Sequence, residues 1–291
     1  MKKALFIINP NSGVDRIKEI QYLIKENLSP QKFSYELVYT QFPKHGTQLA
    51  RSAVERGFEV IVAVGGDGSV NDVINGIYGT DAILAILPKG SGNGLARSLG
   101  IPLNTRKAIQ LMNAQNTTEI DLGDANGHIF SSTAGVGFDA LVAKKFAANK
   151  RRGFVAYSWI ITKYLWSYKL YDWLIEVDEK QFKEKAFMLT VANAIQLGYG
   201  FKIAPAADLK DGFFDIIILK KFPVLMAFLI AFRAFRGTLL KSRYVDLLRA
   251  KEVTISHAEL HLFQFDGEAA VCDQQIKIKM LPKALKILVA E

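Results

Sequence analysis

Two kinds of apolar patterning divide this chain. Over the first 113 residues, β-rich apolar runs at 3–8, 34–39, 58–64 and 82–87 are separated by stretches with helical apolar spacing near 14–27, 45–56, 69–78 and 105–113. Unbroken apolar runs predict strands buried on both faces, and the helices between them predict βαβ crossovers around a parallel sheet. From about residue 117 the pattern changes to short, often alternating strands with Gly, Asn and Asp turns, at 129–133, 174–177, 187–192, 214–219, 253–256 and 276–280. Those spacings predict a β-sandwich or barrel. Helical, aromatic and basic stretches at 138–168 and 222–243 interrupt it. The chain therefore reads as α/β plus all-β: an N-terminal α/β domain over 1–117, a β-sandwich-like domain over 118–281, and a tail, 282–291, expected to return to the first domain.

Two glycine-rich turns sit where strands hand over to helices: Gly65-Gly66-Asp67-Gly68-Ser69-Val70-Asn71 and Pro88-Lys89-Gly90-Ser91-Gly92-Asn93-Gly94. Glycine lets backbone N–H groups approach an anion, and a helix N-terminus adds partial positive charge, so both turns are candidate phosphate cradles. Ligands of such sheets bind beyond the C-terminal strand ends, where Asn9-Pro10-Asn11-Ser12-Gly13 and Thr40 also fall. The first domain is thus a candidate nucleotide-binding domain. Asp67 is the awkward member. At about 4 Å a carboxylate and a phosphate charge repel by roughly 1 kcal/mol in water and about 4 at an effective dielectric near 20. Asp67 is expected to meet phosphate only through Mg²⁺ or water, or to face a ribose or substrate hydroxyl. The chain has no Gly-x-x-x-x-Gly-Lys-[Ser/Thr] and no Gly-x-Gly-x-x-Gly after the first strand, which excludes a P-loop NTPase and weakens a dinucleotide reading.

In the second domain, the segment 204–215 holds Asp208, Asp211 and Asp215 in one turn-like stretch, which suits a hard cation with oxygen ligands. Asp266-Gly267-Glu268 is a turn between strand-like runs and offers acids that can deprotonate a hydroxyl. The net charge of +9 favours an anionic partner, without distinguishing nucleotide, nucleic acid or an acidic membrane surface. No nucleic-acid-binding signature is present. The longest uncharged apolar run, Phe222 to Phe232, is about half of the roughly twenty residues a spanning helix needs, but followed by Arg233, Arg236, Lys241 and Arg243 it suits a surface-lying helix as well as a core one. The single Cys272 rules out an internal disulfide, and the N-terminus lacks a signal-peptide pattern, so a cytoplasmic setting is expected.

Together these residues resemble the diacylglycerol kinase catalytic-domain family, lipid kinases that include bacterial diacylglycerol kinases and sphingosine kinases. The resemblance runs through Asn9 to Gly13, Thr40, Gly65 to Gly76, Pro88 to Asn93, Asp121-Leu122-Gly123, Gly135 to Asp139, Asn193, Pro205 to Asp215 and Asp266 to Glu268. It implies that Asn9, Pro10, Asn11, Ser12, Gly13, Thr40, Gly65, Gly66, Asp67, Gly68, Ser69, Val70, Asn71 and Ser91 contact ATP. It further implies that Asp208, Asp211 and the Phe213 backbone hold Mg²⁺, and that Glu268 is the proton acceptor, with Asp67 the other candidate base. Many bacterial members carry Gly-Thr-x-Asn-Asp in the second loop. Here Ser91 replaces the Thr and Gly94 the Asp, a form closer to sphingosine kinases, so the implied acceptor is a hydroxyl of diacylglycerol, a sphingoid base or a related lipid. The expected setting is peripheral to the inner membrane face, on an anionic surface; the oligomeric state is open, a homodimer among the options. Two alternatives stand beside this reading: an NAD kinase-like enzyme, whose family also carries Gly-Gly-Asp-Gly, and a nucleotide- or lipid-binding regulator without turnover.

Overall fold

The computed structural model describes residues 1–12, 17–149 and 153–290; Gly13, an expected ATP contact, lies outside them. The chain divides into two compact units, Met1–Ile120 with Lys283–Glu291, and Asp121–Pro282. The first is α/β with parallel strands and the second β-sandwich-like, the fold class expected.

In the first unit the elements run β1 (Lys2–Ile8), α1 (Ile17–Asn27), β2 (Phe33–Tyr39), α2 (His45–Glu55), β3 (Val60–Gly65), α3 (Asp67–Ile77), β4 (Ile83–Pro88), a short α4 (Gly94–Ser98) and α5 (Thr105–Ala114). The strands are parallel in the order β2-β1-β3-β4. Both faces are covered, which is why these strands are apolar at almost every position. Ala4, Phe6, Ile8, Val60, Val62 and Val64 pack against Ile20 and Ile24 of α1 and Ile109 and Met112 of α5. The alternate residues, such as Leu5, Ile61 and Leu84, are buried on the other face, where α2 packs on β1 and α3 on β3 and β4. Helix α4 was not predicted; five residues are too few for a periodic signal, and its start is set by tertiary hydrogen bonds.

The second unit begins within β5 (Thr117–Ala125) and continues with β6 (His128–Phe130), β7 (Thr133–Gly137), α6 (Phe138–Ala147), α7 (Phe154–Leu165), β8 (Tyr171–Val177), β9 (Lys180–Ala192), β10 (Phe214–Lys220), α8 (Ala227–Phe235), β11 (Val245–Ala250), β12 (Glu252–Ser256), β13 (Leu262–Phe265), β14 (Glu268–Val271) and β15 (Gln275–Leu288). The long β9 organises it, pairing antiparallel with β8 and β7 along its length and with β10 on its other side. Its first half alternates between exposed and half-buried residues, whereas 186–192 is buried throughout. The reason is layering: Leu189 and Val191 face the sandwich core with Phe130, Phe214 and Phe263, while Phe187, Met188 and Ala192 face a helical layer built from α6, α7 and α8. In β15, Gln275–Lys279 pairs with β12, and after a left-handed residue at Lys283 (φ 50°) Lys286 and Ile287 pair parallel with β4. A strand interrupted by Pro282 reads in sequence as two pieces, but its end extends the first unit's sheet.

Candidate functional site

Strand order decides where the first unit can bind. The chain leaves β1 for β2 at one side and returns to β3 on the other side of β1, so the C-terminal ends of β1 and β3 flank a topological switch point. Asn9 follows β1 and the first glycine turn follows β3, and the two are joined: Asn9 N–H donates to the Val64 carbonyl (3.0 Å) and Asn9 Nδ2 to Ser69 Oγ (3.1 Å). Gly65 makes this contact sterically allowed, since a Cβ there would lie 2.3 Å from Ser69 Oγ. Asn9 Oδ1 accepts from Asn11 N–H (3.0 Å), and Ser12 N–H donates to the Asn9 carbonyl (3.1 Å), leaving Pro10 and Asn11 exposed at the loop tip. Thr40 follows β2, with its N–H on the Ile8 carbonyl (2.9 Å).

The two glycine turns pack backbone to backbone. A Cβ on Gly90 would stand 2.5 Å from Gly66 Cα, and Lys89 N–H donates to the Gly65 carbonyl (2.8 Å). Asp67, expected to face a metal, water, ribose or hydroxyl, is bonded to the second turn: its Oδ2 accepts from Asn93 N–H (2.8 Å) and its Oδ1 from Gly94 N–H (2.7 Å). It is the first residue of α3 and at the same time the acceptor for the first N–H groups of α4, so one carboxylate serves two helix N-termini. Asn93, left-handed at φ 52°, closes the second turn on itself: Gly90 N–H donates to its Oδ1 (3.0 Å) and its Nδ2 to the Gly90 carbonyl (2.7 Å). Asn tolerates that conformation better than most residues, a signal that marks Asn93 as structural. Gly68 and Ser91 are exposed, Ser69 is half-buried, and Val70 and Asn71 are buried in α3, Asn71 receiving Asn75 Nδ2 on its carbonyl oxygens.

In the second unit the two acidic motifs are linked through a buried hub. Asn193 donates from Nδ2 to the carbonyls of Asp121 (2.8 Å) and Ser131 (2.9 Å), and from its N–H to the Ser132 carbonyl (2.8 Å). Asp121 holds the acidic loop, its N–H on the Leu209 carbonyl (2.7 Å) and its Oδ2 accepting from Gly212 N–H (2.8 Å). Ser131 to Thr133 hold the other motif. The Asp266 carboxylate accepts from the N–H groups of Ser131, Ser132 and Thr133 and from Ser131 Oγ, at 2.7 to 3.1 Å. With φ values of 46° and 81°, Asp266 and Gly267 form the two-residue turn joining β13 to β14, which opens at the half-buried Glu268. Of the two acids in that turn, Asp266 is committed to holding it.

Residues 3–125 match the diacylglycerol kinase catalytic domain, and residues 132–289 match the YegS C-terminal NAD kinase beta sandwich-like domain. Diacylglycerol kinase of Bacillus subtilis is 30% identical over 92% of this chain and 90% of its own length. The chain belongs to the diacylglycerol kinase catalytic-domain family. Diacylglycerol kinase of Staphylococcus saprophyticus is 29% identical over 92% of this chain and 89% of its own. A crystal structure of a diacylglycerol kinase from Bacillus anthracis shares the fold, with a TM-score of 0.78 at 20% identity, covering 99% of this chain and 97% of that one.

The Mg²⁺ that membership of the diacylglycerol kinase family implies can be weighed against the acidic loop. Among the described residues no three His, Cys, Asp or Glu side chains converge on one point. Asp208 Oδ1 accepts from Lys210 N–H (3.1 Å) and Asp211 Oδ1 from Phe213 N–H (2.9 Å), while Asp211 Oδ2 is bonded to Arg249 Nη2. Arg249, which sequence reasoning missed, also reaches the buried Asp215, Nε to Oδ1 at 3.2 Å. Burial raises the Asp215 pKa, against the lowering effect of Arg249 and with Asp211 adding to the rise. The donors are hard oxygens, and Mg²⁺ keeps several waters while taking one or two carboxylates, so a hydrated ion fits this loop and a dry protein cage does not.

One buried carboxylate lies outside the expected set. Asp139, at the start of α6, accepts from Ala140 N–H (2.8 Å), Thr190 Oγ1 (3.1 Å) and Gln264 Nε2 (3.3 Å), and Gln264 Oε1 in turn accepts from Gly267 N–H (3.1 Å). Burial pushes its pKa up to about 7.

Proposed function

We propose that this protein transfers the γ-phosphoryl group of ATP to a hydroxyl of a diacylglycerol-class lipid at an anionic membrane surface. The observation that carries the reading is the locked pair of glycine turns at the switch point, where α3 starts directly after β3 behind glycines that leave the backbone unscreened by Cβ atoms, and Asp67, bonded to the Asn93 and Gly94 N–H groups, holds the second turn against the first. Phosphoryl transfer asks a protein for positioning and charge neutralisation more than for covalent chemistry. The turns, with Asn9 to Ser12, Thr40, Ser69 and Ser91, orient the triphosphate. Asp67 holds the second turn against the first, a positioning role that leaves Glu268 as the acceptor of the hydroxyl proton. Asp208, Asp211 and the Phe213 carbonyl hold hydrated Mg²⁺, which supplies charge neutralisation to the phosphates when bound.

The test is incubation of the full chain with labelled ATP, Mg²⁺ and a panel of diacylglycerols, sphingoid bases and NAD, with mass spectrometry of the product. A phosphorylated diacylglycerol supports the reading. Phosphorylated NAD alone transfers the site to the NAD kinase alternative, and ATP binding without any product supports a regulator. Glu268→Gln is expected to lose at least a hundredfold in kcat, in the range of general-base removal.

A further inference from the structure

Helix α8 is apolar on both of its faces. Ile230 and Ala234, four residues apart, are buried in the cluster that contains Ile217 and Leu219 of β10. The opposite face carries Leu225 (85% exposed, in the 3-10 turn before the helix), Phe228 (82%), Leu229 (43%) and Phe232 (52%). The spacing i, i+3, i+4, i+7 puts them on one stripe. A helix apolar all round belongs in a core, and a contiguous apolar face left in water marks an interaction site.

The charge beside that stripe has one sign. From Phe222 to Val245 the chain has no acidic residue, and its four cations are Arg233, Arg236, Lys241 and Arg243. None of them pairs with a carboxylate among the described residues. Arg243 instead donates to the Tyr244 hydroxyl (2.7 Å) and Arg236 stands 5.8 Å over the Phe232 ring. Three of these cations, Arg233, Lys241 and Arg243, line an open cavity of about 270 Å³ together with Met226, Tyr244 and Leu229, the one member of the stripe that reaches it. That is the volume of about nine waters, enough for a phosphodiester headgroup. Helix α7 belongs to the same packed layer, Phe154 lying 6.2 Å from Phe235, and Trp159 within it and Trp166 just after it are exposed, residues that favour a membrane–water boundary.

We propose that this cavity binds the phosphate of an anionic phospholipid while Leu225, Phe228 and Phe232 enter the same leaflet. The one-sided charge selects the bilayer over a protein partner: an acidic surface attracts each of these cations, and acyl chains accept the stripe without needing a complementary shape. No helix among the described residues is long and apolar enough to cross a membrane, so the contact is interfacial. The inference rests on the lipid-kinase reading in one respect only, that it names the surface through which the protein reaches its substrate.

The test is cosedimentation of the full chain with phosphatidylcholine vesicles, with and without one third phosphatidylglycerol. The wild type is compared with an Arg233→Gln, Lys241→Gln, Arg243→Gln triple variant and a Leu225→Ser, Phe228→Ser double variant. All these side chains are on the surface or at the cavity rim, and thermal unfolding checks that each variant is folded. The expected result is binding that requires phosphatidylglycerol, weakened about a hundredfold or more in each variant. Equal binding by folded variants and wild type overturns the proposal, as does a wild type that stays in solution with both vesicles. Saturable binding of inorganic phosphate at Arg233, Lys241 and Arg243 without vesicle binding also overturns it, assigning the cavity to a free anion. Vesicle binding that is lost in the variants while the wild type phosphorylates no lipid upholds the surface and sinks the kinase reading alone.

Discussion

Asp67→Asn separates a clamp from a base. The carboxylate accepts two backbone N–H bonds, at 2.8 and 2.7 Å, both within the short range of charge-assisted bonds. Each such bond contributes roughly 1.5–3 kcal/mol. An Asn side chain keeps one acceptor, loses the other, and turns an NH₂ group toward an N–H that then has no acceptor. The expected cost is about 2–4 kcal/mol, a large part of the 5–15 kcal/mol that typically holds a domain together. The loss falls on the turn that carries Ser91 and begins α4, so it reaches nucleotide binding as well as stability. Urea unfolding of wild type and variant, read alongside steady-state kinetics with varied ATP, measures both. The clamp predicts a lower unfolding midpoint together with a raised KM for ATP. An Asp67→Asn protein with wild-type unfolding and unchanged KM, but kcat down a thousandfold, would refute the reasoning and return Asp67 to the chemistry.

Three further outcomes follow from the same geometry. The buried Asp139 carboxyl has its pKa raised from 3.8 to about 7 in the folded protein, so the folded state holds the proton more tightly than the unfolded one. Stability from this group is fully present below about pH 4 and is lost as pH rises towards 7, by about 4 kcal/mol in total. Asp139→Asn should flatten that slope in unfolding curves recorded between pH 4 and 8, and parallel wild-type and variant profiles would contradict it. Arg249→Gln strips the half-exposed guanidinium from buried Asp215 and should destabilise the second unit by roughly 1–3 kcal/mol in calorimetry; an unchanged Tm excludes the pairing as a structural one. Gly90→Ala places a methyl 2.5 Å from Gly66 Cα, so the turns must part. Nucleotide affinity by calorimetric titration should fall at least tenfold, and wild-type affinity would show that the two turns need not touch.

Several of these predictions rest on residues that no local reading connects. Both turns, the acidic loop and the Asp266-Gly267-Glu268 hairpin were legible because glycine, asparagine and acids at strand ends leave a compositional mark within a few residues. What the acids do was not. Asp67 meets Asn93 and Gly94, 26 and 27 positions away, and Asp266 meets Ser131 to Thr133 more than 130 positions away. Arg249 reaches Asp211 across 38. An acid beside a glycine turn reads the same whether it meets a metal, a substrate or a backbone N–H. Asp67 and Asp266 accept backbone N–H groups, and Asp211 and Asp215 share one guanidinium.

By itself, then, the order of residues determined the longer strands and helices, though not α4 or the continuity of β15, because burial on one face or two imposes a period that can be read along the chain. It also determined the resemblance, because turn chemistry is local. Only the tertiary structure decided the order β2-β1-β3-β4 that creates the switch point, the hub at Asn193 that ties two acidic motifs together, and the backbone N–H groups on which the Asp67 and Asp266 carboxylates close. The physical reason is the same in each case. Those outcomes depend on which polar groups lose water together on folding, and each must then find a partner among groups that are neighbours in space and strangers in sequence.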